Sequence, residues 1–99
     1  MRYIIFYDIN FEDFDSVIAC DRRRREQGES IHSVLPSHMM AVSDGTLRGF
    51  SILDVENEEQ MAKYIIQYGK AGKKNMQAYP IWETSTSFDI WEKEKNKPT

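Results

Sequence analysis

The side chains best suited to chemistry in this sequence are its two histidines, His32 and His38. An imidazole changes charge near neutral pH, so it serves well as a general base, and it also ligates haem iron. In an unbroken strand, residues six apart share a face, although Pro36 interrupts the alternation between these two. We take His38 as the candidate catalytic residue. The simpler alternative is a solvated histidine on an edge strand, because neither histidine has a metal-ligand partner at the usual spacing.

Aromatic residues with polar tips form a second candidate group. Their rings offer flat apolar surface and their hydroxyl or indole groups offer hydrogen bonds, which suits a pocket for an apolar or aromatic ligand. The same residues suit a dimer interface equally well. The predicted ligand-binding residues are Tyr7, His32, Arg48, Tyr79 and Trp82.

Three further segments have simpler interpretations than the functional ones they invite. The four arginines at 22–25 point around the whole helix, because successive residues turn by about 100 degrees, and this indicates a solvated helix end rather than a nucleic-acid surface. The segment from Gly69 to Lys74 has two residues between its glycines and precedes a strand, whereas a phosphate loop needs four residues and a following helix. A flexible basic turn is therefore expected there. Cys20 has no evident base beside it and is a weak nucleophile candidate.

Asp21 and Arg25 are one helical turn apart, on or beside the predicted buried side of the first helix. This spacing allows an ion pair between their side chains. Two interpretations stay open, since such a pair fits the edge of a core and also fits the polar rim of a pocket.

Length and composition set the class of protein. At 99 residues the chain has room for one domain with a thin packed core, and its 40% apolar content excludes wholesale disorder. The formal charge of −3 has the wrong sign for general affinity to nucleic acid or to an anionic membrane. The single cysteine, with no zinc-type pairs, no signal-peptide pattern and no apolar stretch of about 20 residues, favours a soluble cytoplasmic protein without a structural metal.

Hydrophobic periodicity predicts six elements in the order β-α-β-β-α-β. They are a strand at 2–9, a helix at 11–27, strands at 31–42 and 47–55, a helix from Asn57 to Gly69, and a strand at 76–84. Asp44-Gly45, between the two middle strands, is a strong hairpin signal. Residues 85–99 form a C-terminal extension whose large apolar residues are free to fold back on the domain and whose last residues are expected to fray.

This order is the split βαβ arrangement, in which right-handed crossovers place strands 1 and 3 side by side and parallel at the centre, with strands 2 and 4 at the edges. The prolines agree, because Pro36 and Pro80 fall in the two edge strands, where a missing donor is tolerated. Both faces of strand 1 are apolar or aromatic, whereas two helices cover only one face of a four-stranded sheet. A second copy related by a two-fold axis is the simplest cover for the other face.

Five short motifs carry a resemblance to a known superfamily. They are Asp8-Ile9-Asn10 after the first strand, His38 late in strand 2, Leu47-Arg48-Gly49-Phe50 opening strand 3, Asp54-Val55-Glu56-Asn57 before the second helix, and Ala78-Tyr79-Pro80-Ile81 in strand 4. Over residues 1–84 the chain resembles the dimeric α/β-barrel superfamily, and within it a short single-domain family of unknown function. The resemblance implies an α+β, ferredoxin-like βαββαβ domain at 1–84, with two helices on one face of a four-stranded sheet, followed by the extension at 85–99.

The same resemblance implies a cavity between the sheet and its helices, often lined by one histidine and several aromatic residues. The superfamily includes cofactor-independent monooxygenases, small-molecule isomerases, haem-binding enzymes and ligand-sensing modules, and the fold alone does not choose among them. One departure is Ser37, at the position where the closest family often has a tryptophan before the histidine.

We therefore expect a cytoplasmic homodimer, paired through a sheet face, whose sheet-to-helix cavity binds a small apolar or aromatic molecule. As an enzyme it would catalyse proton abstraction or cofactor-independent oxygenation, with His38 as the base or orienting group and Tyr7 and Trp82 as cavity walls. The alternative is a non-catalytic interaction or ligand-sensing module. No cofactor is expected, with haem held by His38 as the alternative, and neither nucleic acid nor a membrane is expected as a partner.

Overall fold

The structure, a computed structural model, describes residues 1–41 and 46–98 of the chain. Its elements follow the predicted order, with one additional helix at the C-terminal end. They are β1 (Arg2–Ile9), a short 3-10 turn (Phe11–Asp13), α1 (Phe14–Glu26), β2 (His32–Ala41), β3 (Leu47–Asp54), α2 (Glu58–Ala71), β4 (Lys74–Pro80) and α3 (Thr84–Glu94). The predicted turn at Asp44-Gly45 lies outside the described residues.

The four strands form one sheet in the order β2-β3-β1-β4, so strands 1 and 3 are central and strands 2 and 4 lie at the edges, as the prolines indicate. The predicted parallel pairing of β1 and β3 is wrong, because the two strands are antiparallel, with Tyr3 opposite Leu53 and Tyr7 opposite Gly49. The reason is topological. The first crossover makes β1 and β2 parallel with a gap between them, and β3 enters that gap after a reversal of direction.

The second helix begins as predicted and ends later. Asn57 caps it, and its side-chain oxygen accepts a hydrogen bond from the backbone N–H of Gln60 at 2.9 Å. The predicted end at Gly69 is wrong, since α2 continues to Ala71. A glycine inside a helix costs only about 1 kcal/mol, whereas Gly72 has a φ of 127°, a conformation that side chains rarely adopt. The helix therefore ends at the second glycine.

The last strand begins and ends earlier than the predicted 76–84. Pro80 is opposite Tyr3, near the beginning of β1, and β1 is the strand with which β4 pairs. Beyond Pro80 the neighbouring strand has almost run out, which leaves little with which the chain can pair. The chain instead forms α3, none of whose described residues is buried.

The core lies between one face of the sheet and the helices α1 and α2. Its buried apolar side chains are Ile5, Tyr7, Ile9, Val17, Cys20, Leu53, Val55, Tyr64 and Tyr68. Alternate residues of the same strands point to the opposite face of the sheet, which no helix among the described residues covers. We call this second surface the open face, and it is built around Ile4, Phe6, Phe50, Ile52 and Tyr79.

Candidate functional site

A cavity of about 420 Å³ lies between the helix-covered face of the sheet and the helices. Its volume is within the range of about 300 to 1,000 Å³ that small-molecule sites occupy. Serine hydroxyls, the rings of Tyr64 and Tyr68, and four charged side chains line it. The charged residues are Asp21, Arg24, Arg25 and Lys73.

The turn after α2 places Lys73 in this cavity. The Lys73 amide donates to the Tyr68 carbonyl at 2.9 Å, and Gly72 supplies the positive φ that the turn requires. Only 8% of Lys73 is exposed. Its ammonium nitrogen lies 3.9 Å from the Tyr7 ring centroid and 3.8 Å from that of Tyr68, and it donates a hydrogen bond to the Tyr64 hydroxyl at 3.1 Å. The predicted flexible basic turn thus contains a buried lysine held among three tyrosines.

Burial lowers the pKa of Lys73 to about 8, because removal from water penalises the charged ammonium. The Asp21 carboxylate acts in the opposite sense, and the negative faces of the surrounding rings also favour the cation. The titratable and charged groups around Lys73 are Tyr7 from β1, Cys20, Asp21 and Arg24 from α1, and Tyr64 and Tyr68 from α2. Burial raises the pKa of all three tyrosines, so their hydroxyls stay protonated at neutral pH.

Arg24 is the second buried cation, with 2% of its surface exposed. Its guanidinium donates to the Gln67 side-chain oxygen and to the Glu29 backbone carbonyl, both at 2.8 Å, and its Nη1 lies 3.6 Å from the Glu29 carboxylate. The Tyr64 and Tyr68 rings lie within cation–π distance of it, at 5.6 and 5.3 Å. Of the four consecutive arginines, this one points into the protein and joins α1 to α2.

Asp21 connects the two helices on the same side of the cavity. Its Oδ1 accepts a hydrogen bond from the Tyr68 hydroxyl at 2.8 Å, and its Oδ2 pairs with Arg25 at 2.7 Å. The predicted ion pair between Asp21 and Arg25 is therefore present. Because the Arg25 side chain is 72% exposed and both residues line the cavity, the pair lies at a polar rim of the pocket.

The Tyr7 side chain extends from β1 across the neighbouring strand, and its hydroxyl hydrogen-bonds to Ser37 on β2. This path passes over Gly49 of β3, which is opposite Tyr7 in the sheet. A Cβ atom at Gly49 would collide with the Tyr7 ring. The absence of a side chain at residue 49 thus allows one tyrosine to link three strands under the cavity.

Replacing Gly49 with alanine is expected to lower the free energy of unfolding by about 1 to 3 kcal/mol, because the Tyr7 ring must move from a packed position. The matched control is Gly69→Ala in α2, where the nearest atom to an added Cβ is the Met76 methyl at 3.4 Å. That change is expected to stabilise by about 0.5 to 1 kcal/mol, because alanine restricts the unfolded chain. Urea unfolding measures both, and equal stability of Gly49→Ala and the parent would contradict the described path of Tyr7.

Most of the predicted site residues lie on the open face, not in this cavity. His38 is exposed there, stacks on Phe50 at a ring distance of 5.8 Å, and has its Nδ1 2.6 Å from the Pro36 carbonyl oxygen. His32 is opposite Asp54, on the same face. The strand β2 has two irregularities, between Ser33 and Leu35 and between Leu35 and His38, and together they restore the shared face of the two histidines.

Arg48 and Tyr79 also lie on the open face, on either side of Phe6. The Arg48 guanidinium lies 5.4 Å from the Phe6 ring centroid and pairs with Asp8 at 3.2 Å. Tyr79 meets Phe6 edge to face at 6.4 Å. Trp82 lies beyond the sheet, 65% exposed, with its indole nitrogen donating to the Ser87 hydroxyl. Of the predicted binding residues, Tyr7 alone points toward the helices.

Comparison with known proteins gives the fold. No protein-family model matches the chain, and no curated protein matches its sequence. The C-terminal domain of the MgtC protein from Mycobacterium tuberculosis aligns with a TM-score of 0.58 at 12% identity, over 79% of this chain and 84% of that one. The de novo designed protein Ferredog-Diesel aligns with a TM-score of 0.55 at 13% identity, over 81% of this chain and 85% of its own. The chain has a ferredoxin-like fold.

Within this ferredoxin-like domain, sequence reasoning missed Lys73 and Arg24. A signal for Arg24 exists, because Val17, Cys20 and Arg24 continue one i, i+3, i+7 stripe of buried positions on α1. No comparable pattern marks Lys73. Across residues 1–41 and 46–98, no three metal-binding side chains cluster together, and no helix is long and apolar enough to cross a membrane.

Proposed function

We propose that this protein binds a small acidic molecule with a flat apolar part in the cavity between the sheet and the helices. The observation that carries the proposal is the buried ammonium of Lys73. Among the described residues no carboxylate lies within ion-pair distance of it, and its hydrogen bond goes to the neutral Tyr64 hydroxyl. A buried cation without a carboxylate in direct contact is costly, and an acidic ligand in the adjoining cavity would supply that contact.

The remaining lining supports the same ligand class. Arg24 pairs with Glu29 and Arg25 pairs with Asp21, so among the described lining residues Lys73 is the cation without a carboxylate in ion-pair contact. The Ser33 hydroxyl also lines the cavity and can donate to carboxylate or phenolate oxygens. The Tyr64 and Tyr68 rings, 4.7 Å apart, provide flat apolar surface beside them.

The position of His38 favours a binding or sensing module over the enzyme we considered from the sequence. A general base must reach the ligand directly or through one water molecule. His38 lies on the open face, with the sheet between it and the cavity, and its ring stacks on Phe50. The ligand-sensing alternative needs only the cavity and its charges, and we propose it as the function.

We further propose that the protein is a homodimer whose subunits meet through their open faces. Aromatic and aliphatic side chains fill the centre of that face, including Phe6 and Phe50 with their rings 6.3 Å apart. At its ends the charges are already paired, Arg2 with Asp54 at 3.0 Å and Arg48 with Asp8 at 3.2 Å. Covering such a surface removes apolar area from water without stranding an unpaired charge.

Replacing Lys73 with methionine is expected to weaken the binding of benzoate, a flat carboxylate probe, by about 10- to 100-fold, because a charge-assisted hydrogen bond is lost. Benzamide, which has the same shape and no charge, should bind weakly to both proteins.

Since the pKa of Lys73 is about 8, its ammonium loses its proton as the pH rises through that value. Benzoate affinity for the parent protein should therefore fall above pH 8, whereas the affinity of Lys73→Met should not change there. Isothermal titration calorimetry measures the affinity of each of the two proteins for each of the two probes.

The matched control is Lys70→Met, which removes an exposed lysine from the same segment. Its benzoate affinity should equal that of the parent protein. An equal loss of affinity in both lysine variants would show that benzoate responds to overall charge and would contradict the assigned site. Tight binding of benzamide would contradict the acidic ligand class.

A further inference from the structure

The C-terminal helix α3 carries large apolar side chains that nothing in the described chain covers. Phe88 is 66% exposed, Ile90 53% and Trp91 64%. Such a concentration of aromatic surface on an 11-residue helix is typical of an interface, not of a solvated terminus.

The segment that precedes α3 is hydrogen-bonded to the first turn of this helix. The Trp82 indole donates to the Ser87 hydroxyl at 2.7 Å, and the Thr86 amide donates to the Glu83 carbonyl at 3.0 Å, so the linker is tied to the first turn of the helix. The molecule is 54 Å long, with a radius of gyration of 16.8 Å. A compact domain of about 100 residues has a radius of gyration near 13 Å.

The area of the open face is a second argument that α3 takes part in the interface between subunits. Four strands about 4.8 Å apart and about eight residues long present roughly 500 Å² in projection. A stable interface buries about 600 to 1,000 Å² on each partner. One face of an 11-residue helix, about 16 Å long and 10 Å wide, adds roughly 160 Å² and brings the interface into this range.

We infer that α3 of each subunit packs against the open face of a second copy of the chain. Phe88 and Trp91 then meet apolar side chains of the partner's open face beside the region where the two sheets meet, so that the solvent-exposed helix surface is buried together with the open face. Each subunit places its α3 on the other subunit in the same way, as a two-fold axis requires. This inference rests on the proposed homodimer and adds the element that completes it.

A photo-crosslinking amino acid, benzoylphenylalanine, in place of Trp91 tests the contact in the full chain. The protein is prepared in a light and an isotopically heavy form, mixed, and allowed to exchange subunits before irradiation. We expect heavy–light crosslinks that join residue 91 to peptides of the open face, from 2–9 or 46–54. Crosslinks to those peptides only within one chain would overturn the inference, and so would an absence of crosslinks to the open face in a sample that is dimeric by mass.

A second variant separates this contact from the dimer as a whole. Trp91→Ser is expected to raise the dissociation constant of the dimer by about 10- to 100-fold, as loss of a central aromatic anchor does. Phe11→Ser, which removes a ring that is 68% exposed beside α1, should leave it unchanged. An unchanged dissociation constant in Trp91→Ser would overturn the role of α3 and would leave the homodimer itself in place. A parent protein that is monomeric at every concentration would instead overturn the homodimer and this inference with it.

Discussion

Replacing Arg24 with alanine is expected to lower the free energy of unfolding by about 3 kcal/mol or more. The guanidinium is almost fully buried and donates to Gln67 and to the Glu29 backbone, so its removal leaves two acceptors without their donor. The Glu29 carboxylate also loses its counter-charge, and breaking a buried pair from one side typically costs about 3 to 5 kcal/mol. Urea unfolding at one fixed protein concentration measures the change.

The control is the next residue in the chain. Arg25 is exposed, and its side chain pairs with Asp21, four residues earlier on the same helix. Arg25→Ala should change the free energy of unfolding by no more than about 0.5 kcal/mol, as exposed helical pairs do. If the two alanine variants lost similar stability, Arg24 would not be the arginine that joins α1 to α2.

Replacing Phe50 with aspartate is expected to convert the dimer into monomers, with a rise in the dissociation constant of about 1,000-fold. Phe50 lies at the centre of the open face, between Phe6 and His38. In a dimer formed through this face, a carboxylate at that point would be buried without a partner, which costs about 3 to 5 kcal/mol. In the monomer the same carboxylate would be solvated, so the fold should survive. Light scattering over a range of concentrations measures the effect, and circular dichroism checks the fold.

Phe11→Asp is the matched control, because it introduces the same charge in place of an exposed phenylalanine that stacks on Phe14 of α1. This variant should remain a dimer. A Phe50→Asp protein that still dimerises with the affinity of the parent would exclude the open face as the interface.

The features of the fold that depend on local pattern can be predicted from the sequence. The strand β1 follows from its β-branched and aromatic residues, and the beginning of α2 follows from the capping side chain of Asn57. Proline placement identifies both edge strands. The direction of β1 relative to β3 also follows from the predicted order, because a crossover keeps the direction of a strand and the hairpin between β2 and β3 reverses it. The end of β4 is different, because it depends on where its partner strand ends, and no local window of sequence contains that information.

The candidate site is less predictable, for a different physical reason. Lysine and arginine are rarely buried, so an analysis of hydrophobic pattern assigns them to the surface. Lys73 enters the core because Gly72 turns the chain and because three tyrosines from two elements, β1 and α2, surround its ammonium. Likewise, Ser37 and His38 are neighbours in the chain but face opposite sides of the sheet. Which of them met the helices depended on the irregularities around Pro36.

The most direct test of the proposed acidic-ligand site is an NMR titration of nitrogen-15-labelled protein with benzoate, and in parallel with benzamide. We expect saturable shifts of amides around the cavity, at Asp21, Ser51 and Lys73, with benzoate binding at least about 10-fold more tightly than benzamide. Saturable shifts centred on the open face, at His38 and Phe50, would contradict the cavity as the binding site. The absence of any saturable shift with either probe would contradict the proposed function itself.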